Sequence, residues 1–229
     1  MSGSEGEPRF PRASARKANS PVYHHGVDPV TAFVLAGGKS SRMGLNQDKA
    51  LFKIRKRTLL EHALGLAKAS VGNTPGNIWI VGSSKKFAGF GPVVEDFYPG
   101  QGPLAGIHAA LSASATDLNL IIAVDMPFLQ PEFLSYLIGQ ARDSSAAVVV
   151  PRTEKGLQPL AAVYRREFAA VAERALRAGQ NKVALSFAEI QTRIIEPDEL
   201  GKNGFSEELF RNLNTGQEWL EAQQKLIAR

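Results

Sequence analysis

The stretch Thr31–Phe52, TAFVLAGGKSSRMGLNQDKALF, decides the fold. Ala32, Phe33, Val34, Leu35 and Ala36 form an apolar run with no polar residue between them. A half-exposed strand would alternate. A continuous short run suits a parallel strand covered on both faces. The run ends at Gly37 and Gly38, and a basic loop follows with Lys39, Ser40, Ser41, Arg42, Met43, Gly44 and then Lys49. In open α/β sheets, ligands bind beyond the carboxyl ends of the strands, where this loop would lie.

The rest of the chain extends the pattern. Strands are expected at TAFVLA, NIWIVG, GPVVED, LNLIIAVD, AAVVVP, LQPLAAVY and TRIIEP. Helices are expected at TLLEHALGLAKAS, PLAGIHAALSAS, PEFLSYLIGQARD, REFAAVAERALRAG and GQEWLEAQQKL. Their alternation predicts an α/β fold built on a doubly wound, mostly parallel sheet. The loops after AFVLA, GPVVED and LIIAVD should then share one rim.

Composition narrows the function. The chain has 229 residues, enough for one α/β domain. It has no cysteine, which excludes a disulfide framework, a thiolate metal site and a thiol nucleophile. It has no apolar run long enough to span a membrane. The net charge of +5 comes from basic residues spread along the chain, without an aromatic-interleaved stripe. That argues against nucleic acid as a partner and suits phosphorylated small molecules. Residues 1–30 are rich in Ser, Pro, Gly, Arg and Lys and lack an apolar period. They read as a disordered tail, with His24 and His25 solvated, ahead of one domain over residues 31–229. The tail has no continuous apolar segment, so it is not a secretory signal, and the absence of cysteine makes a reducing cytoplasm the expected location.

The loop itself has the makings of a phosphate cradle. Gly37, Gly38 and Gly44 let a ligand approach the main chain. Successive exposed N–H groups make an anion-binding concavity. Arg42 can grip phosphate oxygens with two donors, and Lys49 adds a point charge. A P-loop is excluded because Leu45 and Asn46 follow Gly44, where that motif needs Lys and Ser or Thr. The dinucleotide fingerprint fails too, with Lys39 and Arg42 at its second and third glycine positions.

LAGGKSSRMG with its following Lys49 resembles the signature of nucleotidyltransferases, which move a nucleoside monophosphate from a triphosphate onto a phosphate. Later segments are similar to one branch of them. DFYPGQGPLAGI, from Asp96 to Ile107, resembles the pattern of molybdenum cofactor guanylyltransferases. AVDMPFL resembles their metal-bearing acidic turn, and LQPLAAVY and FRNLNT resemble two later segments. The resemblance runs in consistent order from about Thr31 to Leu220. Two departures stand out. Four residues, Leu45 to Asp48, separate Gly44 from Lys49, where the family commonly has two or three. Gly82 and Ser83 also stand where some members carry a nucleotide-contacting asparagine.

The resemblance implies a Rossmann-like nucleotidyltransferase fold and a set of roles. GTP would lie over Leu35, Ala36, Gly37 and Gly38, with Arg42 and Lys49 neutralising its phosphates. Asp125 has two readings from its residues alone, an N-cap before a Pro-containing turn or a carboxylate placed for Mg²⁺. The resemblance favours Mg²⁺, making Arg42, Lys49 and Asp125 the catalytic set. Asp96 would contact the nucleoside part, base or ribose, with Gly102 and Gly106 passing close to ribose or phosphate, or else serving a turn and helix packing. Asn212, Asn214 and Gln158 would face the acceptor, molybdopterin with or without molybdenum. For the two asparagines the plainer reading is a turn before a helix capped by Thr215. Molybdoenzymes or their chaperones would be the protein partners. Two rivals are set against this reading. One is a cytidylyl- or sugar-phosphate nucleotidyltransferase. The other is a carrier that binds nucleotide or cofactor without catalysis.

Overall fold

The protein is described by a computed structural model covering residues 28–37, 48–54, 56–72, 74, 76–213 and 215–227. Gly38, Arg42, Asn214 and the tail up to residue 27, with His24 and His25, lie outside these residues.

In chain order, β1 (Val30–Leu35) precedes a 3-10 turn at Lys49–Leu51, the hairpin β2 (Lys53–Ile54) and β3 (Arg57–Thr58), and α1 (Leu59–Val71). Next come β4 (Ile78–Val81), the single turn α2 (Ser84–Phe87), β5 (Val93–Val94) and α3 (Pro103–Ala113). Then follow β6 (Leu118–Ala123), α4 (Pro131–Arg142), β7 (Val148–Thr153), β8 (Gly156–Leu157) and β9 (Ala161–Arg165). α5 (Phe168–Arg177), α6 (Val183–Ser186), β10 (Thr192–Ile195), α7 (Pro197–Lys202) and α8 (Gly216–Ile227) complete the chain. Val30 is already a buried strand residue, one position inside the stretch expected to be tail.

The main sheet has the order β10-β7-β9-β6-β1-β4-β5, with β8 paired to β7. β1 is parallel to both β6 and β4, β4 to β5, and β7 to β10. β9 runs antiparallel to both of its neighbours, β6 and β7. The sheet is thus mostly parallel, as the continuous apolar runs predict. The alternation of β1 explains those runs. Ala32 and Val34 enter one core, with α1 and α4; Phe33 and Leu35 enter the other, with α3 and α5. β6 divides the same way, with Leu120 and Ile122 on one side and Ile121 on the other. Each strand residue therefore leaves water on one face or the other, at about 1.5–3 kcal/mol for a Val, Leu, Ile or Phe side chain.

Local signals set the flanking helices. Thr58 caps α1 in a reciprocal box: its hydroxyl accepts from the Glu61 N–H at 3.1 Å, and the Glu61 carboxylate accepts from the Thr58 N–H at 2.7 Å. Leu59, Leu60, Ala63, Leu66 and Ala67 then recur at helical spacing on its buried face. Gly106 lies on α3 where a Cβ would stand 3.3 Å from a Leu35 methyl. Close helix-on-sheet packing accounts for this glycine.

Two expected strands are shorter than their apolar signal. GPVVED contributes Val93–Val94 only, and LQPLAAVY is split between Leu157, which ends β8, and β9 from Ala161. In the first, the Glu95 carboxylate turns to the N–H of Ser84 at 2.9 Å, leaving the sheet. In the second, Gln158 and Leu160 form the turn that lets β9 run back along β6.

Candidate functional site

Register places the rim. Leu35 lies beside Val81 on β4 and Ala123 on β6, and Val81 lies beside Val94 on β5. Just beyond these residues the Ala36 N–H donates to Val81 O at 2.9 Å and the Gly82 N–H to Val94 O at 2.9 Å. The Val124 N–H donates to Leu35 O at 3.1 Å. The ends of β1, β4, β5 and β6 therefore form one edge, where Gly37, Asp96 and Asp125 emerge. This is the shared rim expected from the sequence. Because β9 is antiparallel, its leading turn meets the same edge, with Ala123 N–H donating to Leu160 O at 2.8 Å.

Asp125 occupies the centre of this edge. Its Oδ2 accepts from Lys49 Nζ at 2.9 Å, and both side chains are mostly covered, at 18% exposure for Lys49 and 24% for Asp125. Lys49 thus meets the carboxylate just past the end of β6, although four residues separate it from Gly44 in the sequence. The backbone on either side is tied down. Asp125 O accepts from the Leu213 N–H at 3.0 Å, which brings the Asn212–Leu213 segment to the acid. Two residues on, Pro127 O is 2.9 Å from His62 Nε2 on α1. A carbonyl only accepts, so Nε2 carries the proton. Burial pulls the pKa of His62 down, partly opposed by this bond, and favours the neutral ring. His62 carried no signal in the sequence beyond its place in an amphipathic helix.

The residues expected on the nucleotide side are arranged around this pair. Leu35 and Ala36 are buried beneath the edge, and Gly37 is exposed above it. Asp96 lies past the end of β5, half-buried, its Oδ1 accepting from the Tyr98 N–H at 2.8 Å. Phe97, within this short turn, is exposed. Gly102 has φ 78° and forms the N-terminal boundary of α3, a conformation favouring glycine. The first turn of α3 follows directly, with Pro103 in its opening position, where the missing N–H costs nothing.

Of the residues expected on the acceptor side, Asn212 is half-buried and its Oδ1 is buried without a hydrogen-bond partner. A buried carbonyl of this kind costs about 1–3 kcal/mol until something donates to it. The expected helix cap beside it is present: Thr215 and Glu218 exchange bonds of 3.2 and 2.9 Å at the start of α8. Gln158 directs its amide into its own turn, donating to Thr153 Oγ1 at 2.9 Å and Gly156 O at 3.3 Å. Its side-chain N–H groups are thus committed within the turn, and the contact with the edge is made by Leu160 O.

A hard cation fits this edge as a partly substrate-held ion. Among the described residues no group of three or more His, Cys, Asp or Glu side chains is placed to share a metal. Mg²⁺ retains waters and takes one or two carboxylates plus substrate phosphates. The single carboxylate of Asp125 meets that requirement. Among the described residues, no helix is long and apolar enough to cross a membrane.

Comparison with known proteins agrees with this geometry. The profile of the MobA-like NTP transferase domain matches residues 32–192. A Desulfosudis oleivorans protein named molybdenum cofactor guanylyltransferase is 30% identical over 203 residues, covering 88% of this chain and 98% of its own. A Carboxydothermus hydrogenoformans relative named "Probable molybdenum cofactor guanylyltransferase" is 32% identical over 187 residues, covering 81% of this chain and 91% of its own. Among solved structures, molybdopterin-guanine dinucleotide biosynthesis protein A from Archaeoglobus fulgidus superposes with a TM-score of 0.73 at 24% identity, over 87% of this chain and 100% of that one. CMP:2-keto-3-deoxy-manno-octonic acid synthetase shares the fold at TM-score 0.65 and 12% identity, over 87% of this chain and 99% of that one. The chain belongs to the MobA-like NTP transferase family.

Proposed function

We propose, on the premise of that family membership, that the chain transfers GMP from GTP to the terminal phosphate of molybdopterin, with or without molybdenum. The observation that carries the reading is the Lys49–Asp125 pair at the shared rim, held at 2.9 Å between two segments of the family match.

The reaction needs no protein nucleophile. A terminal phosphate oxygen of the acceptor forms a bond to the α-phosphorus of GTP. The bond from that phosphorus to the bridging oxygen breaks, and its electron pair leaves with pyrophosphate. A phosphate monoester is already anionic at neutral pH, so no base has to activate it. Catalysis then rests on positioning and on countering the charge that builds up on the transferring group. Lys49 supplies a positive charge that Asp125 keeps at the rim. Arg42 is assigned a second by the sequence. Asp125 would hold Mg²⁺, which when bound neutralises phosphate oxygens and favours departure of pyrophosphate. Asp96 accepts from the guanine edge or the ribose, and Asn212 turns its unpaired Oδ1 toward donors of the pterin. Gln158 contributes the turn that shapes the acceptor side, and Asn214 is assigned beside Asn212. The product passes to molybdoenzymes or their chaperones, and the location is cytoplasmic.

The test is pyrophosphate release with Mg²⁺, molybdopterin and each of GTP, CTP, ATP and UTP, with Asp125→Ala in parallel. Release with GTP that the variant loses is the expected result. Release with CTP in its place would move the chain to cytidylyl transfer. Nucleotide binding with no release from any of the four would make it a carrier.

A further inference from the structure

We infer that Asp48 is a positioning residue for Lys49, and that Lys86 on α2 completes the device. The inference rests on the reaction proposed above for the role of Lys49, though not for the contacts themselves. Asp48 stands in the longer spacing between Gly44 and Lys49 and is itself mostly covered, at 12% side-chain exposure. Its two oxygens do different things. Oδ1 accepts from the Ala50 N–H at 3.2 Å, capping the 3-10 turn that carries Lys49. Oδ2 accepts from Lys86 Nζ at 2.8 Å. The turn closes on itself through Leu51 N–H to Asp48 O at 2.9 Å and Phe52 N–H to Lys49 O at 3.1 Å. Ala50 and Phe52 are buried below it. The base of the lysine is therefore fixed, although its four-carbon stem is flexible.

Lys86 answers an electrostatic problem. A carboxylate next to a phosphate-binding lysine competes for the ammonium and repels the polyphosphate. The ion pair turns the Asp48 charge toward α2 and cancels it. α2 is firmly seated for this task, with Phe87 1% exposed beneath it. At its other end the Ser84 N–H donates to Glu95 Oε1 at 2.9 Å, next to Asp96. One short helix is thus clasped to both the phosphate-side turn and the nucleoside-side loop.

The decisive variant is Lys86→Met, because the Lys86 side chain is 55% exposed and its loss spares the fold. We expect kcat for GMP transfer to fall about fivefold, the size of a modest ion pair, with KM for GTP within about twofold. Asp48→Asn, which keeps a capping oxygen and removes the charge, should lose less than Lys86→Met. Asp48→Ala should lose about 30- to 100-fold, as displaced catalytic groups do. The double variant Asp48→Asn with Lys86→Met should be no slower than either single one. Reductive methylation of Lys49, followed by peptide mass spectrometry, should be slower than in the parent in Lys86→Met, where the freed carboxylate holds the ammonium, and faster in Asp48→Ala, where the turn is loosened. Unchanged Lys49 labelling and kcat in Lys86→Met, multiplied losses in the double variant, or a rise in KM alone would each overturn the inference. If the parent enzyme transfers no GMP, the proposed reaction fails. The labelling of Lys49 in Asp48→Ala against the parent then still decides the positioning role.

Discussion

Lys49 Nζ lies 2.9 Å from Asp125 Oδ2, joining residues 76 positions apart in sequence. The pair bridges the end of the glycine-rich loop and the end of a central strand. It brings a cation and an anion to the point where a triphosphate would meet the sheet. Its contribution to stability is small, because partly exposed pairs contribute about 0–1 kcal/mol. Its worth is in placing charge.

Removing the carboxylate should therefore separate activity from folding. Asp125→Ala is expected to lower kcat by about 10²–10³-fold or more, the scale of a lost electrostatic stabiliser. Its urea midpoint should stay close to that of the parent. Pyrophosphate release and a denaturation curve on the same preparation measure both. Near-parental activity would remove Asp125 from the catalytic set.

Asp96 should govern nucleotide choice. Its Oδ1 is occupied by the Tyr98 N–H, and the proposed reading gives its second oxygen to the nucleotide. Asp96→Ala is expected to raise KM for GTP by about 10- to 100-fold, the cost of leaving a nucleotide donor without its charged acceptor. If the carboxylate reads the base, the preference for GTP over ATP narrows. An equal loss for both nucleotides assigns it to the ribose.

Gly106 tests the packing of α3 on β1. A Cβ there meets a Leu35 methyl at 3.3 Å, and a larger side chain must displace it. Gly106→Val should destabilise the fold by about 1–3 kcal/mol, as overpacked cores do, read from urea unfolding. A variant as stable as the parent would show that α3 can move away from the sheet.

His62 should make stability depend on pH. Burial depresses its folded-state pKa below the usual imidazole value of 6.5, and His108 is shifted in the same direction by burial. Below pH 6.5 the unfolded chain takes up protons that the folded chain refuses. Stability therefore falls as pH drops through that value, until the folded-state pKa is reached. His62→Gln should flatten this part of the profile, with the contribution of His108 remaining. A profile identical to that of the parent would place the effect elsewhere.

Much of the fold is legible in the chain because parallel strands leave an unbroken apolar trace. AFVLA, LIIAV and AAVVV each mark a strand whose two faces are both covered, and the helices between them carry a clear apolar stripe. The short pieces carry no such trace. The β2–β3 pairing, α2 and the two-residue β5 are too brief for any period to show. The antiparallel course of β9 is equally hidden, since a buried strand has the same composition in either direction.

The candidate site divides along the same line. Lys49, Asp96 and Asp125 stand out in the sequence, because loop glycines, basic residues and strand-end carboxylates mark phosphate chemistry by type and order. The sequence alone determined the fold class, the edge of the sheet where the candidate site lies and the types of residue along it. Only the tertiary structure decided that Lys49 closes on Asp125, that Leu213 and His62 brace the acid's turn, and that Asp48 faces Lys86. Local pattern records what each residue can do and which face of an element it occupies. Contacts between distant segments depend on strand register and on the path of the chain between them, and neither has a local sequence signature.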